Sequence, residues 1–252
     1  MDEDKIIVRK LIDLANKAYK CNIVTYSSFL SLSQISLFMA QKKDFDFVEY
    51  NLYGGSLQSE RKIIAFRPFN SDYLEYEYPI DIIKISPLSL KYSEVLNHRD
   101  YLGAIMNLGI ERQTIGDIYC QENEAYVCAL SKISSYLLDN LDQIKHTHIK
   151  MEMLEPNQDN FISSKTEEIE LISASQRVDA IVSAITKLSR TKSIELFNQK
   201  KIYVNDSSYE NYSHPLKEGD ILVIRGFGKY IYQGSNAQTR KGKAYIRLIH
   251  YI

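Results

Sequence analysis

Across residues 5–20 (KIIVRKLIDLANKAYK), Ile7, Leu11, Leu14 and Ala18 recur on one face of a 3.6-residue period, which predicts an amphipathic helix. A second helical stretch is expected around Phe29–Gln41. The alternation of FDFVEY and the apolar run KIIAFRPF then predict two strands flanking a turn at Gly54-Gly55. From Pro79 the order becomes strand (IDIIKIS), helix (about His98–Leu108), strand (TIGDIYCQ), strand (EAYVCAL), helix (near Ser131–Leu141) and strand (Ile144–Met153). That βαββαβ order is the split-βαβ arrangement of ferredoxin-like and RNA-recognition-motif folds. In such a fold Tyr119 and Tyr126 lie on the central strands, where related modules stack bases, although the basic-aromatic signature of those modules is missing.

The polar stretch Glu155–Glu168 contains Pro156 and has neither helical nor strand period, so it reads as a linker. Beyond it, EIELIS, DILVIRGF and AYIRLI predict strands, with two short helices between the first and second. In the first of these helices Val178, Ile181, Val182 and Ile185 form an apolar face, and Arg177 and Asp179 begin it on its open side. In the second, Ser189 is the expected N-cap, and Ile194 and Phe197 are expected to face inward. The fold class is therefore α+β. It comprises a small N-terminal α/β unit (1–78), a ferredoxin/RRM-like middle domain (79–154), a linker (155–168) and a C-terminal module (169–252).

Composition adds little for the whole chain, with 44% hydrophobic and 25% charged residues. Its distribution matters more. Residues 171–252 hold 13 Lys+Arg against 6 Asp+Glu, a net +7, whereas the other 170 residues hold 18 against 26, a net −8. A basic C-terminal third on an acidic body predicts a polyanionic partner engaged through that third. The acidic start MDEDK is unlike a secretory signal, and no apolar run has the length of a membrane span. Cys21, Cys120 and Cys128 have no metal-type spacing and read as reduced thiols of a cytoplasmic protein.

Within the basic third, Arg190 and Lys192 occupy the first turn of the second short helix, the end that carries partial positive charge. Each cation there costs roughly 0.3–1 kcal/mol unless it bends into water or a negative group is supplied. Lys192 also stands where a capping-box Glu or Gln would reach back. A phosphate would reverse the sign of the effect, and free helix-start N–H groups beside two cations suit one. Arg177, Lys187, Lys200, Lys201, Arg225 and Lys229 extend the positive surface, so nucleic-acid phosphate fits better than a small metabolite.

The stretch RVDAIVSAITKLSRTKSIELFNQKKIYVND…LKEGDILVIRG resembles the alpha-L, or S-four, RNA-binding domain at Arg177, Asp179, Ser189, Arg190, Val204, Asn205, Gly219 and Asp220. It departs at Asp206 and Lys200, positions often held by glycine. Three further segments, YGGSLQSERKIIAFRP, HRDYLGAIMNLGIERQTIGDI and RGFGKYIYQGSNAQTRKGKAYIRL, resemble the YlmH family, also called RqcP, in the family's order. FLSLSQ departs from that family's usual Pro-Arg-Glu type helix start.

The resemblance implies a non-enzymatic factor of bacterial ribosome-associated quality control, monomeric when free and without membrane contact. It would bind stalled large ribosomal subunits and peptidyl-tRNA and support C-terminal tailing of the nascent chain. Its partners would be large-subunit ribosomal RNA, tRNA and a ribosome-bound tailing factor, with no cofactor and no metal. Arg177, Lys187, Arg190 and Lys192 would contact phosphate, with Lys200, Asn205, Arg225 and Lys229 completing the RNA-binding set. Arg99 and Arg112 are candidate RNA or partner contacts, an ion pair within the fold being the alternative.

Two other classes stay open: a pseudouridine-synthase-like RNA-modifying enzyme, with Asp100 or Asp117 as its carboxylate, and a cell-division adaptor. The tripeptide His98-Arg99-Asp100 mimics a kinase catalytic loop, but no Gly-rich loop or Asp-Phe-Gly accompanies it. His146 and His148 share a strand face without a third ligand, and Gly226-Phe227-Gly228 is too short for a dinucleotide fingerprint.

Overall fold

The computed structural model describes residues 3–56, 58–154, 166–238 and 242–251. The chain is α+β and divides into two compact units, Met1–Ile162 and Ser163–Ile252. The boundary expected at residues 78–79 falls inside the first unit. Most of the expected linker, residues 155–165, lies outside the described residues.

The first unit opens with α1 (Glu3–Cys21), β1 (Thr25–Tyr26), α2 (Leu32–Ala40), β2 (Val48–Tyr53) and β3 (Ile63–Pro68). The three strands form an antiparallel sheet in the order β1-β3-β2. Leu11, Ala15 and Ala18 of α1 pack with Phe38, Phe45 and Phe66, and the Phe45 and Phe66 rings stack at 5.5 Å. Phe45 belongs to a short 3-10 turn (Lys42–Phe45) that directs it into this core, so the expected FDFVEY strand starts only at Val48. The departure at FLSLSQ makes its own helix start. Ser31 accepts from the Gln34 N–H at 3.4 Å, and Gln34 accepts from the Ser31 N–H at 2.8 Å, a reciprocal capping box.

The remainder of this unit runs β4 (Ile80–Pro87), α3 (His98–Asn107), β5 (Ile115–Gln121), β6 (Glu124–Leu130), α4 (Ser131–Asn140), β7 (Gln143–Ile144) and β8 (Thr147–Met153). Its five-stranded antiparallel sheet has the order β5-β6-β4-β8-β7, so the expected split-βαβ path is present. The single last strand expected over Ile144–Met153 is instead a tight hairpin, because Lys145 adopts a left-handed φ of 52°.

Parity along β6 shows how the sheet is used. Ala125, Val127 and Ala129 join Ile83 and Ile85 in packing on Tyr101, Ile105 and Leu137 of the helices. On the opposite face Cys128 and Leu130 pack on Phe29 and Ile63 of the N-terminal elements, with Tyr119, Ile80 and Ile82 beside them. The sheet is thus covered on both faces over this half, which explains why β6 is buried almost throughout.

The second unit comprises β9 (Thr166–Ser173), α5 (Val178–Thr186), α6 (Arg190–Asn198), β10 (Ile202–Val204), β11 (Ser207–Ser208), β12 (Ile221–Ile224), β13 (Gly228–Gln238) and β14 (Ala244–Tyr251). Its sheet has the order β11-β10-β12-β13-β14-β9. β9 begins two residues before the expected strand EIELIS, because Thr166 and Glu167 pair with Tyr251 and His250. Val178, Ile181 and Val182 of α5 and Leu196 and Phe197 of α6 cover Ile202, Leu222, Ile224, Ile246 and Leu248. Ile194, expected inside, is only half-buried, and the inward positions of α6 are Ser193, Leu196 and Phe197.

Candidate nucleic-acid interface

Arg190, at the start of α6, has a counter-charge within the fold. Asp179 is fully buried rather than on an open helix side, and its carboxylate accepts from the Arg177 Nε at 3.0 Å and Nη2 at 3.1 Å. It also accepts from Nε and Nη2 of Arg190, both at 3.2 Å, and from the Ala180 N–H at 2.9 Å. One buried carboxylate therefore holds two guanidinium groups, whose side chains remain 40% (Arg177) and 59% (Arg190) exposed. The trio keeps a net single positive charge, and both guanidinium side chains stay partly open to solvent. Arg177 Nη2 additionally donates to Ser213 Oγ at 3.2 Å.

The two helix starts differ. At α5, the N–H groups of Val178 and Asp179 donate to the carbonyls of His214 (3.0 Å) and Tyr212 (3.1 Å), so a loop already caps that end. At α6, Ser189 is the N-cap and accepts from the Lys192 N–H at 3.4 Å. Lys192 is exposed in the first turn of α6, and Lys187 is exposed in the short connection Lys187–Ser189. Arg177, Lys187, Arg190 and Lys192 thus gather around this connection and the start of α6.

Lys200 and Arg225 lie at the other end of α6, about 13 Å away for nine residues at the helical rise. The Arg225 N–H donates to the Lys201 carbonyl at 2.9 Å, and its guanidinium sits 5.1 Å from the centre of the buried Tyr203 ring. Lys229, on β13, places its ammonium 5.3 Å from the Tyr251 ring centre. Asn205 is exposed, but both ends of its side-chain amide are engaged within the fold. Its amide donates to Asp220 Oδ1 at 2.8 Å and its oxygen accepts from the Ile221 N–H at 2.9 Å, so it closes the turn before β12.

The two departures from glycine fall where the backbone is left-handed, with φ of 52° at Lys200 and 64° at Asp206. At Lys200 the N–H reaches the Phe197 carbonyl and the Lys201 N–H reaches the Leu196 carbonyl, both at 2.9 Å, a Schellman close to α6. Lys200→Gly is therefore expected to stabilise the second unit by about 1 kcal/mol in urea denaturation. If Lys200 also touches phosphate, the same variant weakens RNA binding, a split that a purely structural residue would not give.

In the first unit, Tyr119 is no stacking platform: its hydroxyl pairs with Ser59 Oγ at 2.9 Å beneath the N-terminal elements. Tyr126 is buried, with Lys84 over its ring at 5.7 Å. Arg112 donates to the carbonyls of Ile115 and Gly116, so it is spent inside the fold, whereas Arg99 is exposed in the first turn of α3. The carboxylates open to an enzymatic reading have structural partners as well. Asp100 closes the α3 capping box and pairs with Lys145 at 2.8 Å. Asp117 accepts from the N–H groups of Glu60 (2.6 Å) and Arg61 (3.1 Å). Burial pushes the Asp117 carboxyl up, partly offset by those N–H groups, and burial beside Arg112 draws the Arg61 guanidinium down to about 10. Among the described residues no group of three His, Cys, Asp or Glu could hold a metal, and no helix is long and apolar enough to cross a membrane.

Sequence reasoning missed the depth of Asp179. The Arg-x-Asp spacing was visible, but its convergence with Arg190, eleven positions on, depends on how α5 and α6 pack.

A family model described as a putative RNA-binding domain in YlmH matches residues 74–158, the span of β4 to β8. The ribosome-associated protein quality control protein P2 of Bacillus subtilis (strain 168) is 27% identical over 194 residues, covering 75% of this chain and 73% of that protein. Among solved structures, a protein described as cell division protein ylmH from Streptococcus pneumoniae aligns with a TM-score of 0.50 at 21% identity. The alignment covers 62% of this chain and 93% of that one, a likeness of fold.

Proposed function

The chain belongs to the YlmH/RqcP family, and from that premise we propose that it is an RNA-binding factor of ribosome-associated quality control. It binds stalled large ribosomal subunits carrying peptidyl-tRNA and supports C-terminal tailing of the nascent chain, acting by binding rather than by catalysis. Its partners are large-subunit ribosomal RNA, tRNA and a tailing factor.

The observation that carries this reading is the pair of arginines held by buried Asp179, beside exposed Lys187 and Lys192. Fixed, half-exposed guanidinium groups suit phosphate oxygens, because their orientation is set before the ligand arrives. Arg225 and Lys200 extend the track to the other end of α6, a span suited to a nucleic-acid backbone rather than a single small anion.

The test uses cations that the fold does not need. Lys187→Glu combined with Lys192→Glu is expected to weaken co-sedimentation with purified large subunits at least about tenfold at physiological salt, and to make the dependence on salt shallower. Unchanged affinity and slope, with an unchanged melting temperature, would remove the basis for the reading.

A further inference from the structure

The hairpin between β12 and β13 closes from Ile224 to Gly228 over the loop Arg225-Gly226-Phe227. Its tip is fixed from several sides. The Phe227 N–H donates to the Ile224 carbonyl at 2.9 Å, a turn in which Gly226 takes a φ of 88°. The Tyr230 hydroxyl donates to the Phe227 carbonyl at 2.7 Å, and Tyr230 is itself buried and stacked on the His250 ring at 4.6 Å. The backbone that carries the Phe227 ring is therefore held before any partner arrives, while Phe227 stays 39% exposed.

The charges beside this ring decide what it fits. Arg225 belongs to the loop itself, and Lys229 follows Phe227 by two residues. The bond from the Arg225 N–H to the Lys201 carbonyl, at 2.9 Å, brings Lys200 and Lys201 alongside. Arg225, Lys200 and Lys201 are exposed, and among the described residues none of the three is paired with a carboxylate. Such cations favour an anionic partner, and the Phe227 ring favours a flat π face. A paired duplex offers phosphate but keeps its bases stacked inside. A nucleotide outside a helix offers phosphate and a free base face together.

We propose that Phe227 stacks on an unpaired nucleobase of the bound RNA while Arg225, Lys200 and Lys201 hold the adjoining phosphates. This rests on the RNA-binding reading above and sharpens it: the track ends, at the C-terminal side of α6, on a nucleotide outside a helix. The probes are a short RNA duplex carrying one bulged uridine and the same duplex without the bulge, each titrated with the full chain. The parent is expected to bind the bulged duplex about tenfold more tightly. Phe227→Ala and Phe227→Leu are both expected to lose that preference with an unchanged salt slope, since no phosphate contact is lost, whereas Phe227→Tyr keeps it.

Equal affinity of the parent for the two duplexes overturns the proposal, because stacking tolerates any base. So does a preference that survives in Phe227→Leu, because leucine fills space without a π face. A photo-crosslinking residue in place of Phe227, in the full chain on purified large subunits, is expected to join RNA. A product destroyed by protease and resistant to ribonuclease, or no product on bound subunits, overturns the proposal. In each of these cases the parent still sediments with large subunits and the ribosomal reading stands. A parent that binds neither subunits nor either duplex overturns both. Phe227 is exposed, so melting curves matching the parent's are expected for all three variants, and the parent's own preference and crosslink decide the matter without them.

Discussion

Asp179→Ala is expected to cost the second unit about 2 kcal/mol of stability and to weaken RNA binding, although it removes a negative charge from a basic surface. The stability loss follows from the contacts: one carboxylate accepts from two guanidinium groups and the Ala180 N–H while fully buried. Removing a partner from a fully buried pair costs about 3–5 kcal/mol, but Arg177 and Arg190 are half-exposed and can turn into water, which reduces the figure. For binding, two effects oppose. One added unit of positive charge strengthens attraction to phosphate by the equivalent of about one counterion. Against it, two freed arginines must be ordered on binding, at about 0.5–1.5 kcal/mol each. The second effect is larger, so a net loss of several-fold is expected. Asp179→Asn keeps the shape and one acceptor, and should fall between Ala and the parent in both measurements. Urea denaturation and RNA titration at two salt concentrations give the answer. An Asp179→Ala protein that binds RNA more tightly would show that the arginines need no fixed orientation.

The features legible in the chain were those with a local period. Alternation along β4 and β6 and the 3.6-residue pattern of α5 placed their elements within a few residues. Ser189 could be recognised as an N-cap because the capping signal spans only a few positions. What the pattern could not supply were pairings between distant residues. The anchoring of Arg190 by Asp179 depends on the packing of α5 against α6, and the use of Asn205 depends on where the turn before β12 lands. Tyr119 was an available aromatic on a central strand until the N-terminal elements closed over it, and nothing local to β5 signals that cover. The linker composition likewise hid Thr166 and Glu167, which become strand only because β14 lies alongside.

That cover makes the last expectation. Phe29→Ala should destabilise the first unit by about 3–5 kcal/mol, because the ring is 1% exposed and fills the space between the N-terminal elements and the β5–β6 half of the sheet. Gly116→Ala attacks the same contact from the other side. A Cβ there would lie 2.7 Å from Phe29 Cε1, 2.8 Å from Phe29 Cζ and 3.0 Å from Cys128 Cβ, closer than packed carbons allow. Both substitutions should loosen one joint, so their effects should not add, and Phe29→Leu should relieve part of the Gly116→Ala penalty. Cys128 supplies a local readout. It is fully buried, and burial pushes its thiol well above the usual range, whereas Cys21 and Cys120 lie on the surface. Partial burial raises the Cys120 thiol as well, so the parent should show Cys21 reacting fastest, Cys120 more slowly and Cys128 hardly at all, and Phe29→Ala or Gly116→Ala should accelerate Cys128 before global unfolding. If Cys128 stays silent in a measurably destabilised Phe29→Ala protein, the joint has remained closed and the lost stability must come from elsewhere in the unit.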